Sequence, residues 1–205
     1  MILCNKLPSC NQAFIGRKDE IKAIASHLSN QSVLFITGMA GIGKSEVAKA
    51  YAQKNRKKYT NIIYLYYTGD LRKDIANLTF ADDSVEMNEE VRFQNHYKVM
   101  QRLHTDTLLI LDNFNVLPKD EPFLKELMKN DMQLLITSRC KLKNYDSIEI
   151  KELDKDKELK ELFYKHCPSA KRDPDSVSAI IEEVNCHTLT VCMAALTLEA
   201  SGMEP

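Results

Sequence analysis

The run Gly38-Met39-Ala40-Gly41-Ile42-Gly43-Lys44-Ser45 satisfies the pattern GxxxxGK[ST] in full. An apolar segment, Val33 to Ile36, precedes it and reads as a short buried strand. A helical segment from Ser45 to about Lys57 follows, with Val47, Ala48 and Tyr51 as its buried side. A strand, a glycine turn and a helix in that order suit one chemistry. Glycines let the backbone turn tightly and aim N–H groups at phosphate oxygens. The new helix adds its free N–H groups and the positive end of its dipole. Lys44 is expected to reach the β- and γ-phosphates, and the Ser45 hydroxyl to hold Mg²⁺. Three of the six glycines fall inside this run, so the residue that permits close backbone approach is concentrated here.

Outward from the loop, apolar strands alternate with helices. Strands are expected at Ile62–Tyr67, at Thr107–Leu111 ending on Asp112, at Leu134–Ile136, and as a short fifth one at Ile148–Ile150. Helices are expected from Asp19 to Ser29, over 69–79 and 89–104, and from Glu121 to Lys129. The strands are apolar at nearly every position, which describes a parallel sheet covered on both faces. After residue 150 only helices are evident: Asp154–His166, Asp175–Val184 and Leu189–Ala200. The expected organisation is a leader or linker remnant at 1–13, a three-layer α/β nucleotide-binding domain at 14–151, and a small all-helical subdomain at 152–205.

Composition narrows the function classes. The chain has 205 residues, with 28 Lys plus Arg against 29 Asp plus Glu and a net charge of -1, so no basic excess points to nucleic acid. No apolar run reaches the ~18–20 residues of a membrane span. Pro8, Asn11 and Gln12 interrupt any secretory pattern near the N-terminus. A cytoplasmic chain with free thiols is therefore expected at Cys4, Cys10, Cys140, Cys167, Cys186 and Cys192. No CxxC or HExxH metal pattern is present.

Two strand ends carry further chemistry. Asp112 closes an apolar strand and is expected to organise Mg²⁺ with Ser45. Asn113 follows it. An amide orients water but is no general base at neutral pH, which predicts slow hydrolysis unless an acid such as Glu46, Asp70 or Glu121 substitutes. Thr137-Ser138-Arg139 ends the fourth strand. Arg139 there either reads a γ-phosphate or pairs with a helix carboxylate at the surface.

Together these residues resemble the NB-ARC type of STAND ATPase, a branch of the AAA+-like P-loop NTPases, over about residues 12–200. Gly38–Ser45 is similar to its Walker A motif, Leu108–Asn113 to Walker B, and Thr137–Arg139 to its sensor 1. The segment Phe14-Ile15-Gly16-Arg17, followed by Glu20, resembles the family's stretch that lies over adenine. The resemblance implies ATP or ADP as ligand, with Mg²⁺. It implies nucleotide contacts from Phe14, Ile15, Gly16, Arg17, the loop Gly38, Met39, Ala40, Gly41, Ile42, Gly43, Lys44 and Ser45, then Glu46. It assigns catalysis to Lys44, Asp112, Asn113 and Arg139.

Leu153–Phe163 resembles the entry to the family's first helical subdomain. Thr188-Leu189-Thr190-Val191 falls where the family carries Gly-Leu-Pro-Leu, placing Leu189 and Thr190 beside the nucleotide. Thr188 and Thr190 replace the usual glycine and proline, and Asn113 replaces a commoner acid. Core packing of a helix pair explains this apolar stretch equally well.

The family's proteins behave as switches, closed with ADP and able to self-associate with ATP. They normally continue into winged-helix, sensor and effector domains, so a longer parent protein, or a minimal member, is expected. Two other classes stay open: a regulatory scaffold that holds ADP without turnover, and a DNA-acting ATPase. Several residues have plainer readings. Tyr59, Tyr64, Tyr66 and Tyr67 suit strand packing, Lys54 to Lys58 a solvated helix end, and His187 a helix start or a ligand contact.

Overall fold

In the computed structural model, which describes residues 7–140 and 142–202, five strands form one sheet. They are β1 (Val33–Thr37), β2 (Asn61–Tyr66), β3 (Thr107–Asp112), β4 (Gln133–Thr137) and β5 (Ser147–Glu149). Their order is β2-β3-β4-β1-β5, and every adjacent pair is parallel. β3 and β4 are buried at every position, which explains why neither alternates with polar residues.

Both faces of the sheet are covered. Leu108 and Ile110 pack with Ile21 and Ile24 of α1 (Lys18–His27) and with Val47, Ala48 and Tyr51 of α2 (Lys44–Lys54). Leu109 and Leu111 face the other way, toward α3 (Leu71–Ala76), α4 (Glu89–Met100) and α5 (Phe123–Leu127). This is the expected three-layer α/β architecture with a parallel sheet. The connection leaving β1 runs past β4 and β3 to β2, while that leaving β4 runs the other way past β1 to β5. A crevice where connections diverge at the carboxyl ends of parallel strands is where such sheets place ligands.

Helix limits differ from the expected ones for local reasons. The helix expected over 69–79 covers only Leu71–Ala76; its start is set by the Asp70 side chain, which accepts from the N–H groups of Arg72 and Lys73. α5 starts two residues later than expected. Glu121 is drawn out of the helix and accepts from Tyr67 Oη and the Leu71 N–H instead. Among the tyrosines, Tyr59 behaves as expected: its hydroxyl donates to Gln133 at 2.6 Å inside the core, beside Tyr51.

After residue 153 the chain is helical. A π-helical turn (Lys155–Leu159) leads into α6 (Lys160–His166), and a 3-10 turn (Pro168–Arg172) precedes α7 (Pro174–Glu183) and α8 (Thr188–Ser201). Their core gathers Leu159, Phe163, Val177, Ile181, Val191 and Ala195. Ala13 and Ile15 join this cluster, so the segment before α1 packs against the C-terminal helices as well as, through Cys10 and Phe14, against the sheet core. Residues 1–6 of the expected leader, Cys4 included, lie outside the described residues, as do 203–205. Cys10, Cys140, Cys167, Cys186 and Cys192 are free thiols. No described helix is long and apolar enough to cross a membrane.

Candidate functional site

The phosphate loop leaves β1 at Thr37 and enters α2 at Lys44. Gly38, Gly41 and Gly43 all have positive φ. At Gly38 a Cβ would also lie 2.6 Å from the Ile150 carbonyl oxygen, so no other residue fits. α2 has no side-chain cap, which leaves its first N–H groups for a ligand. Ala40 through Glu46 line a cavity of about 350 Å³. Lys44 is only 8% exposed. Its ammonium donates to the carbonyl oxygens of Gly38 at 3.0 Å and Met39 at 2.6 Å. Burial lowers its pKa, the positive charge of Arg139 adds to this, and Asp112 opposes it. Lys44 and Arg139 therefore feel each other across the same cavity, which both of them line.

Asp112 is the hub of the site and 3% exposed. Its Oδ1 accepts from Ser45 Oγ at 2.7 Å and from Thr137 Oγ1 at 2.5 Å. Its Oδ2 accepts from Tyr64 Oη at 2.5 Å. Burial and the neighbouring carboxylate raise the Tyr64 pKa, so this phenol stays a donor. The 2.7 Å separation of the Ser45 and Asp112 oxygens suits two neighbouring ligands of an octahedral ion. At metal–oxygen distances of 2.0–2.1 Å, such ligands sit about 2.9 Å apart. The donor set, one hydroxyl and one carboxylate, fits Mg²⁺, which keeps water and phosphate oxygens for its other positions.

Asn113 adopts φ 65°, a left-handed conformation that Asn tolerates. Its N–H donates to Thr137 Oγ1 at 2.9 Å, and its side chain meets Asn115 and the Tyr67 carbonyl. Asn115 in turn accepts from the Arg139 N–H at 3.0 Å. The ends of β3 and β4 are thus tied together by polar side chains. Arg139 is exposed and forms no ion pair among the described residues. Of the acids considered as substitutes for a base, Glu46 lines the cavity but is engaged by Lys49 and the Asn11 N–H. Asp70 caps α3, and Glu121 sits against Tyr67 and α3; neither lines the cavity.

The other walls come from both ends of the chain. Phe14, Ile15 and Arg17 line the cavity with Leu153, Leu162 and Cys192. Arg17 adopts φ 60° and donates to the Ile42 carbonyl at 3.2 Å and to Glu20 at 2.9 Å. That fastens the segment before α1 to the phosphate loop. Leu189 lines the cavity, whereas Gly16, Gly38, Met39 and Thr190 do not. Gly38 serves the turn. Gly16 lets Glu158 approach, since a Cβ would lie 2.0 Å from its Oε1. Met39 is 54% exposed. The Thr190 N–H is capped by His187.

The sequence pattern assigns Tyr64 to strand packing, whereas its hydroxyl reaches Asp112. The signal for its contact is period two: Tyr64 pairs in register with Ile110, so it shares a sheet face with Asp112. Asn11, Ala13, Leu153, Leu162 and Cys192 carry no polar pattern that would mark them as cavity walls.

A family model described as an AAA domain matches residues 26–143, more than half of the chain. The chain belongs to this family of P-loop ATPase modules, and nucleotide binding is the property the family carries. The match is to the broad class and not to the NB-ARC type in particular. No curated protein matches the chain in sequence. Among solved structures, the Walker-type ATPase PABY2304 of Pyrococcus abyssi superposes with a TM-score of 0.65 at 12% identity, covering 97% of this chain and 71% of that one. AMPPCP-bound DnaA from Aquifex aeolicus superposes at 0.59 and 16% identity, covering 93% and 63%. At these identities the likeness is one of fold.

Proposed function

We propose that the chain is an ATP/ADP-binding switch module with slow Mg²⁺-dependent ATP hydrolysis. The observation that carries this is the convergence of Lys44, Ser45 and Arg139 on one cavity, with Asp112 hydrogen-bonded to Ser45. In this reading Lys44 neutralises β- and γ-phosphate charge, Arg139 contacts the γ-phosphate, and Asn113 orients the attacking water. Ser45 and Asp112 would hold Mg²⁺, whose charge would offset negative charge developing on the transferred phosphate. The apolar walls from Phe14, Ile15, Leu153 and Leu162 suit a base, with adenine favoured by the resemblance of the segment at 14–17. The division near residue 151, the signalling role of NB-ARC type, and self-association of a longer parent in its ATP state belong to the same proposal.

A second reading, an ADP-holding scaffold without turnover, is favoured by Asn113, because Glu46, the one carboxylate among the described lining residues, is engaged by Lys49 and the Asn11 N–H. Single-turnover hydrolysis separates the two. Lys44→Ala removes a charge aimed at the developing phosphate charge, and loss of such a group costs about 10²-fold or more in rate. Equal rates in both proteins contradict the enzyme reading, and ADP retained by the wild type would then favour the scaffold. Stimulation of hydrolysis by DNA would point to a DNA-acting ATPase instead.

A further inference from the structure

His187 sits at the junction of the helical subdomain and the phosphate loop, and both of its ring nitrogens are engaged there. Nδ1 caps α8, accepting from the Thr190 N–H at 3.4 Å, and lies 2.8 Å from Thr190 Oγ1. Nε2 lies 2.7 Å from the Ala40 carbonyl oxygen. A carbonyl only accepts, so the hydrogen-bond network assigns the ring proton to Nε2 and leaves Nδ1 free to cap. The ring also lies against Gly41. A Cβ at that position would come within 2.6 Å of His187 Cε1 and 2.9 Å of Leu189 Cβ. Gly41 thus serves a second purpose beyond its φ of 72°: it lets α8 approach the loop.

The bond to Ala40 has a consequence for the next N–H. In a planar trans peptide the C=O and the following N–H point in opposite directions. By gripping the Ala40 carbonyl, His187 directs the Gly41 N–H away from itself, and Gly41 lines the cavity. An anion in the loop and His187 would hold one peptide unit from its two sides.

We propose that His187 is a positioning residue that locks the Ala40–Gly41 peptide to the start of α8, so that release of bound ADP requires this bond to open. The inference rests on the reading of the cavity as an adenine nucleotide site. Its test separates the cap from the bridge. Asn and Ser are both good N-cap residues, and both are too short to span from α8 to Ala40.

Release of a fluorescent N-methylanthraniloyl-ADP is followed by stopped flow from the full chain, from His187→Asn and from His187→Ser. Loss of one hydrogen bond in the closed state predicts release faster by up to about tenfold. The melting temperature without nucleotide should fall by no more than about 4 °C, the cost of one hydrogen bond, because the cap is kept. Unchanged release in either folded variant overturns the proposal. So does faster release that comes with a fall in melting temperature well beyond that of one hydrogen bond, which would reduce His187 to a helix cap. A wild type that binds no ADP analogue at all is a different failure: it overturns the nucleotide-site reading and the bridge with it.

Discussion

Asp112→Asn should lower Mg²⁺-dependent ATP hydrolysis by about 10²-fold or more while leaving the fold intact. The geometry separates the two effects. The side-chain oxygen of an asparagine still accepts from Ser45 Oγ and Thr137 Oγ1, as Asp112 Oδ1 does. Its amide nitrogen would face the Tyr64 hydroxyl, which can turn its proton away and accept. Each of the three hydroxyls that bond Asp112 keeps a hydrogen bond to residue 112, so most of the penalty for orphaned polar atoms is avoided. What disappears is the negative charge beside Ser45, and an amide is a poor ligand for Mg²⁺ compared with a carboxylate. The measurement is initial hydrolysis rate against Mg²⁺ concentration, with a thermal melt of each protein. A variant within about threefold of wild type at saturating Mg²⁺ would remove Asp112 from the metal site.

Asn113→Asp should act in the opposite direction and accelerate hydrolysis. The position has φ 65°, which Asp tolerates as Asn does. The retained Oδ1 still accepts from Asn115 Nδ2. The lost contact is the long one, 3.4 Å from Nδ2 to the Tyr67 carbonyl, and a carboxylate near that carbonyl costs about 1 kcal/mol of stability. In exchange the cavity gains a base next to Asp112. Positioned general bases contribute 10²–10⁴-fold; a gain of about tenfold or more is expected here, because the introduced group was not placed for this proton. Single-turnover hydrolysis with excess protein reads it directly. An unchanged rate would mean that the attacking water does not sit beside residue 113.

The sheet was legible because its strands obey one simple rule. Val33–Ile36, Leu108–Leu111 and Leu134–Ile136 have no polar alternation, which only a strand covered on both faces can afford. The loop at 38–45 was legible for a different reason: its chemistry is local, held within eight consecutive residues. The rest of the site depends on distant partners. Tyr64 reaches Asp112 through strand register, and His187 reaches Ala40 across 147 positions of sequence. Asn11 and Ala13 look like linker until the Asn11 N–H is seen on Glu46 and Ala13 inside the helical cluster.

Motif position says more about the backbone path than about side chains. Met39 and Thr190 sit inside recognisable patterns, but neither side chain lines the cavity. A pattern fixes the backbone path; which side chains face inward follows from what packs around it. Helix ends escaped for the same reason. Glu121 continues a helical pattern, yet two donors on neighbouring elements hold it outside α5.

The central claim is that this cavity holds an adenine nucleotide, and calorimetric titration of the purified, nucleotide-stripped chain with ADP and with GDP in Mg²⁺ tests it most directly. One ADP per chain is expected, with binding of GDP at least about tenfold weaker, a difference of about 1.4 kcal/mol. Equal affinity for the two bases, or no binding of ADP at all, would contradict it.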